Sequence, residues 1–360
     1  MAPKSMARKK SRGTRQKKMI TSYAEDVALF RTGPRKFWFV FLLVALAVLP
    51  WIGLSVGGNY VPHLLNLLGI SAIVAMGLNL LTGSTGLVSL GHAAFVGVGA
   101  YTAAFLANRL GCPFLLALPV SGLLTGCVGV AVGLPALRLK GIYLALATLA
   151  FQFIAAHVFL HWEGVTGGAT GIELPAATIF GLELDTPVRF FYLSTSVAVL
   201  LGLGIRNLQR SRLGRALMAI RDSEVAAQTM GVQLARYKTM VFGVSAAYAG
   251  LAGCLLAYYS SYIGTEHFTV QRSIEYLAMI IVGGLGSILG SVLGAGIVEL
   301  LPEALRFVMD FLREVHPGFV VADLRSVFVG LILILMILFE PRGLAGRWEK
   351  IRRYWSAWPL

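Results

Sequence analysis

Residues 61–81 read Val-Pro-His-Leu-Leu-Asn-Leu-Leu-Gly-Ile-Ser-Ala-Ile-Val-Ala-Met-Gly-Leu-Asn-Leu-Leu, without an Asp, Glu, Lys or Arg. About 20 predominantly apolar residues are enough for a helix to cross the hydrocarbon of a bilayer. The stretch therefore reads as a transmembrane segment. Eight further windows are equally free of charge: 37–58, 92–108, 113–137, 141–160, 190–205, 239–265, 276–298 and 326–339. The last is short, and 318–339 spans only if Asp323 and Arg325 lie near an interface. Nine windows in 360 residues leave no room for a separate soluble domain.

Composition agrees. Hydrophobic residues make up 57% and charged residues 13%, against about 25% charged in a soluble domain. The net charge of +14 looks at first like a nucleic-acid signal, but residues 1–36 alone hold 11 basic and 2 acidic side chains. The basic excess is a tail on an apolar body. A soluble enzyme and a compact nucleic-acid domain are both excluded. The first window starts too late, and lacks the small-residue pattern, for a cleaved signal peptide. Cys112, Cys127 and Cys254 lie in apolar stretches without metal-ligand spacing and read as small buried hydrophobes.

Orientation follows from where Lys and Arg collect. The N-terminal tail, Arg138 and Lys140, the seven basic residues of 206–238 and the five after Glu340 mark one side. Segment 161–189 carries Glu163, Glu173, Glu183 and Asp185 against Arg189 alone. The basic segments and both termini are therefore expected in the cytoplasm, and 161–189 outside. Nine full crossings would separate the two basic tails, so one window must re-enter or break in two. The suspects are 276–298, interrupted by Gly283-Gly284-Leu285-Gly286-Ser287, and the glycine-rich 83–99. Eight to ten crossings are expected. Segment 301–316, with Leu301, Leu305, Val308 and Leu312 on one face, is expected to lie flat on the outer surface.

The glycines gather in two groups, one per half: Gly83, Gly86, Gly91, Gly97 and Gly99, then Gly283, Gly284, Gly286, Gly290, Gly294 and Gly296. Small residues at four-residue spacing allow close helix packing. Glycine also permits broken helices whose freed backbone groups line a polar path. Both readings stay open at this level. Thr82-Gly83-Ser84-Thr85-Gly86-Leu87-Val88-Ser89-Leu90-Gly91-His92 is a polar, flexible stretch between two apolar windows. Its hydroxyls and backbone suit a small polar solute, while His92 alone also suits a packing role. Glu275 and Glu299 flank the second group, either at a functional depth or at the headgroups.

Within 206–238, Asp222 or Ser223 is a good N-cap, Glu224 suits the positive end of a helix, and Gly231 supplies the stop. A helix of about two turns results, too short to stand alone in water. It must lean on neighbours or on another protein, and Ala226 and Ala227 would let a partner groove close around it. No G-x-x-x-x-G-K-[ST], G-x-S-x-G or H-E-x-x-H occurs, so neither nucleotide gripping nor a familiar hydrolytic site is encoded. No catalytic or metal-ligating set can be assembled.

Several ordered segments together resemble one family, the permeases of branched-chain amino acid ABC importers, and within it the M-type subunit. They are Gly77–Gly83, Val88–Phe95, Gly97–Tyr101, Leu139–Phe151, Thr166–Gly171, the loop Gly214–Val232, Ser273–Glu275, Gly283–Gly286 and Pro341–Leu344. The resemblance implies an all-α polytopic bundle of the vitamin-B12-importer-like (type II) architecture. It implies a permease domain over 37–346 holding the 206–238 coupling loop and a C-terminal tail over 347–360, whereas the basic cytoplasmic tail over 1–36 is unusual for the family. The implied partners are a second permease subunit, two cytoplasmic ATPase subunits carrying ATP and Mg, and an extracytoplasmic solute-binding protein. No cofactor is expected in this chain. The expected location is the bacterial inner membrane, with lipid contacts from the basic tail and none with nucleic acid.

On that basis Arg215, Arg221, Asp222, Ser223, Glu224, Ala226, Ala227 and Gly231 are expected to couple to an ATPase. Gly83, Ser84, Thr85, Gly86, Ser89, Gly91, His92, Gly283, Gly284 and Gly286 are expected along the translocation path. The loop departs from the family's Glu-Ala-Ala pattern, because Val225 separates Glu224 from Ala226. An ion-coupled secondary transporter would share the hydropathy, and family relatives for urea, short amides or aromatic acids leave the solute open.

Overall fold

The computed structural model describes residues 46–357 except 56, 137, 138, 140, 180, 316–326, 328, 329, 332, 333, 336, 337, 341 and 342. The chain divides into two compact units, residues 1–49 and 50–360. The described part of the first is 46–49, the start of α1 (Leu46–Ser55). The basic tail, residues 37–45 of window 37–58 and half of window 326–339 lie outside the described residues.

The described residues of the second unit are mostly helical. Its long helices are α2 (Tyr60–Thr85), α3 (His92–Leu110), α4 (Phe114–Ala136) and α5 (Ile142–His161). A short α6 (Glu163–Thr166) and a helical turn Gly168–Thr170 follow. Then come α7 (Pro187–Arg210), α8 (Arg212–Asp222), α9 (Glu224–Thr229) and α10 (Leu234–Ser260). The series ends with α11 (Val270–Gly283), α12 (Ile288–Val315) and α13 (Gly343–Ala357). Seven helices among the described residues are long and apolar enough to cross a membrane: α2, α3, α4, α5, α7, α10 and α12.

The small residues do the packing. A Cβ on Gly99 would run into the backbone of Gly250, and one on Gly253 into Val96 and Ala100, so α3 and α10 touch backbone to backbone. Gly129 lies the same way against Ala246, bringing α4 onto α10. Without hydrophobic drive between helices in lipid, such close approach supplies the dispersion contacts that hold them. The core runs along α2 and α10, where Ile73, Val74, Leu78, Leu81, Ala249 and Leu255 are inaccessible.

Both suspected breaks are present. Gly86, in the left-handed region (φ 76°), ends α2 by donating its N–H to the Thr82 carbonyl, a C-cap that glycine adopts without a Cβ penalty. The gap runs over residues 86–91, and 92–99 are helical. Window 276–298 splits at 284–287. Its halves run antiparallel: Arg272 meets Glu299 at the far end, while Gly283 meets Gly290 near the tip.

Two expectations need correction. Residues 301–315 are no separate surface helix but the continuation of α12, which passes through Pro302 unbroken. One proline removes a single helical hydrogen bond and bends rather than ends a helix whose following residues favour it. Window 239–265 also ends early. Helix α10 stops at Ser260, and the chain goes on as a short strand, Tyr262–Ile263, paired with Ile172–Glu173. A second small hairpin joins Thr178–Ile179 to Leu182–Glu183. These pieces close the acidic 161–189 end.

Candidate functional site

The basic loop folds as two short helices in series. Ser211 caps α8 by accepting from the Gly214 N–H at 3.4 Å, and Ser223 caps α9 by accepting from Ala226 at 3.3 Å. Leu217 and Ile220 bury the inner face of α8. Helix α8 itself was not anticipated, although Leu213, Leu217 and Ile220 recur at helical spacing. Gly231 turns the chain at φ 84°. Ala226 is exposed as expected, but Ala227 is turned into the protein at 3% exposure. Outward from the loop stand Met218, Val225 and Met230, all exposed. Glu224 points back, ion-paired at 2.7 Å with the buried Lys238 of α10. Arg215 is exposed and donates to the Arg210 carbonyl at 3.1 Å, and Asp222 is exposed at the end of α8.

Arg221 connects this loop to both glycine breaks. Its guanidinium donates to the carbonyl of Gly83, in the last turn of α2. Gly83 in turn lies against the backbone of Gly286. Asn79, one turn back on α2, fastens the two together. Its Nδ2 donates to the Ser287 carbonyl at 3.0 Å and to Ser291 Oγ at 2.7 Å, and its Oδ1 accepts from the Gly286 N–H at 2.7 Å. A third segment arrives from the C-terminus, where Gly343 packs on Gly284. Glu340 beside it is ion-paired with Lys350 at 3.0 Å and Arg347 at 3.4 Å. The hydrogen-bonded Lys350 ammonium, with Arg347 next to it, holds the Glu340 carboxyl below the usual carboxylate range.

The rest of the predicted path forms a buried polar layer. Gly91 precedes α3 and sits against the Thr148 carbonyl. The α3 entry is satisfied by side chains: Thr148 Oγ1 accepts from Leu90 N–H at 2.9 Å, Ser273 Oγ from Ala93 at 2.9 Å, and Gln152 Oε1 from Ala94 at 2.8 Å. Gln152 also donates to the Phe268 carbonyl at 2.7 Å. Ser84 and Thr85 are buried, and the Thr85 hydroxyl is spent on the Leu81 carbonyl at 2.6 Å. Ser89 Oγ and both ring nitrogens of His92 are buried and make no hydrogen bond within the described residues. The structure thus joins Gly83, Gly284, Gly286 and Arg221 in one place. Ser89, Gly91 and His92 fall in a neighbouring one, around the start of α3. No grouping of His, Cys, Asp or Glu among the described residues suits a metal ion.

Asn79, Gln152, Ser273, Lys238 and Arg272 were missed as site residues. Asn79 and Gln152 had a signal, since each is a side-chain amide in an apolar window, which must find partners when lipid offers none.

A polytopic α-helical membrane protein, with broken helices gathered at a glycine junction and a capped basic loop pinned to that junction, belongs to the class of membrane-embedded transport subunits. Residues 60–337 match the family described as branched-chain amino acid transport system / permease component, and the chain belongs to that family. It is 34% identical to the high-affinity branched-chain amino acid transport system permease protein LivM of Escherichia coli K12, over 76% of this chain and 67% of that protein. It is 28% identical to a probable branched-chain amino acid transport permease protein LivH of Methanocaldococcus jannaschii, over 79% and 91%. With the permease protein BraD of Pseudomonas aeruginosa the identity is 25%, over 82% and 94%. No solved structure matches.

Proposed function

We propose that this permease forms half of the path by which an ATP-driven importer brings a branched-chain amino acid, or a related small polar solute, across the bacterial inner membrane. The names of the relatives support the solute class, and the presence of both LivM and LivH among them supports pairing with a second, different permease subunit. ATP and Mg belong to two cytoplasmic ATPase subunits, and an extracytoplasmic binding protein delivers the solute. The loop 206–238 and both termini face the cytoplasm. Its exposed Met218, Val225 and Met230 form an apolar surface for an ATPase groove.

The observation that carries the reading is the bond from Arg221 to the Gly83 carbonyl. Helix α8 is tied through it to the end of α2, and through Gly286 and Asn79 to the α11–α12 tip. Movement of the loop on ATP binding therefore reaches both helix breaks by direct contact. Arg221→Ala, in the complete transporter reconstituted in vesicles, is expected to keep most of the ATP hydrolysis. Solute uptake should fall at least about tenfold, the scale of one lost charge-assisted hydrogen bond. Uptake at the wild-type rate would overturn the coupling role.

A further inference from the structure

Arg272, Glu275 and Glu299 form a charged cluster apart from the glycine junction. Arg272 Nη1 lies 3.0 Å from Glu275 Oε2 and 3.6 Å from Glu299 Oε1. Ser71 of α2 donates its hydroxyl to Glu299 at 2.6 Å. The two carboxylate side chains are 5% and 10% exposed, whereas that of Arg272 is 35% exposed.

The depth of this cluster is fixed by Ser71. Helix α2 has 26 residues and so a length of about 39 Å, longer than the roughly 30 Å hydrocarbon core. Ser71 is its twelfth residue, about 2 Å from mid-height by the helical rise. Glu299 and Arg272 are thus held near the middle of the bilayer. Helix α12 pairs with α2 along its length, from Arg306 on Tyr60 at one end to Ser291 on Asn79, so this level does not depend on one contact. Charged groups at such depth face a bundle interior or a water-filled cavity rather than lipid. The exposed part of Arg272 therefore opens toward water or a partner protein.

We propose that Arg272, Glu275 and Glu299 are a solute station on the translocation path, receiving the head group of a zwitterionic α-amino acid. The solute carboxylate takes the open side of Arg272, and its ammonium takes Glu299. Both carboxylates approach the guanidinium through Nη1, which leaves the Nη2 and Nε edge for a two-bond contact, the geometry that suits guanidinium to carboxylate. Branched aliphatic side chains need no polar partner, so the station recognises what such solutes share. The proposal rests on the transport reading above and adds the specificity residues to it.

The test uses the whole transporter, both permeases with ATPases and binding protein, in proteoliposomes with L-leucine. The quantity measured is leucine moved per ATP hydrolysed. Arg272→Gln and Glu299→Gln are each expected to lower that ratio at least about tenfold. Binding-protein-stimulated hydrolysis should stay within about twofold, and Arg272→Lys should fall between. An unchanged ratio in both Gln variants overturns the station, as does a parallel loss of hydrolysis and uptake, which marks a merely structural cluster. If the Gln variants fail to assemble, Ser71→Ala decides, since it removes one hydroxyl and leaves all three charges. A fall in its ratio of about threefold or more is expected, and an unchanged ratio overturns the proposal. Failure of the wild type to move leucine with ATP is a separate result and sinks the transport reading itself.

Discussion

Two side chains show how single residues hold this permease together. Asn79 closes four hydrogen bonds from α2 to the α11–α12 tip and the first turn of α12, to Gly284, Ser287, Ser291 and Gly286. Interhelical hydrogen bonds in membrane bundles average about 0.6 kcal/mol each, so Asn79→Ala should cost about 2 kcal/mol. A lower thermal-unfolding midpoint in detergent checks this, and a midpoint equal to wild type would show that the junction is held by glycine packing alone. Lys238 presents the opposite balance. Its side chain is 4% exposed and that of its partner Glu224 is 25% exposed. Removing one partner of a buried pair costs about 3–5 kcal/mol because a desolvated charge is left behind. The Glu224 Oε2 is buried as well, so Lys238→Met should cost about 3–5 kcal/mol, read in the same melt. That pair also recasts Glu224. In the loop sequence it looked like a residue offered to a partner, and in the fold it anchors α9 to α10.

The helix pair α11–α12 makes the test at the level of elements, because its glycines are not equivalent. A Cβ on Gly290 would meet the Gly283 carbonyl at 2.6 Å and the Gly284 carbonyl at 2.9 Å, both rigid backbone atoms. A Cβ on Gly296 would meet only a Leu68 methyl at 3.6 Å, an ordinary contact. Gly290→Ala should therefore separate the helices at a cost of about 1–3 kcal/mol. Gly296→Ala should be neutral or gain up to about 1 kcal/mol from helix propensity. Equal melting of the two variants would contradict the packing described. The contrast also shows what the sequence could carry. Hydropathy placed the long helices, and Gly86, Gly231 and Gly284 announced the stops, because charge-free length and glycine conformation are local properties. Which glycine meets which helix is not local, so Gly83 against Gly286 was hidden. The same holds for Arg221, whose target lies 138 residues away. The continuity of α12 past Leu301 escaped for another reason: an amphipathic pattern tells that one face is apolar, and says nothing of whether the helix started earlier.

Across the whole molecule the decisive quantity is the difference between its two ends. Helices α7 and α10, of 24 and 27 residues, each connect the acidic end to the basic loop. At about 1.5 Å per residue both exceed the roughly 30 Å hydrocarbon thickness, so the two ends lie on opposite sides of the membrane. Segment 161–189 has four acidic residues and one basic, while 206–238 has seven basic and two acidic. The excess of Lys and Arg in short loops is retained on the cytoplasmic side, and the proposed direction, with 206–238 inside, follows from that rule. Two exposed positions report it: Leu182, 67% exposed at the acidic end, and Met230, 85% exposed in the basic loop. With Cys112, Cys127 and Cys254 replaced, an impermeant maleimide should label Leu182→Cys from outside intact spheroplasts and leave Met230→Cys untouched. Inside-out vesicles should give the reverse. Labelling of Met230→Cys from outside would invert the permease and place its apolar loop surface where no ATPase can reach it. Labelling of both positions from one side would contradict the fold itself.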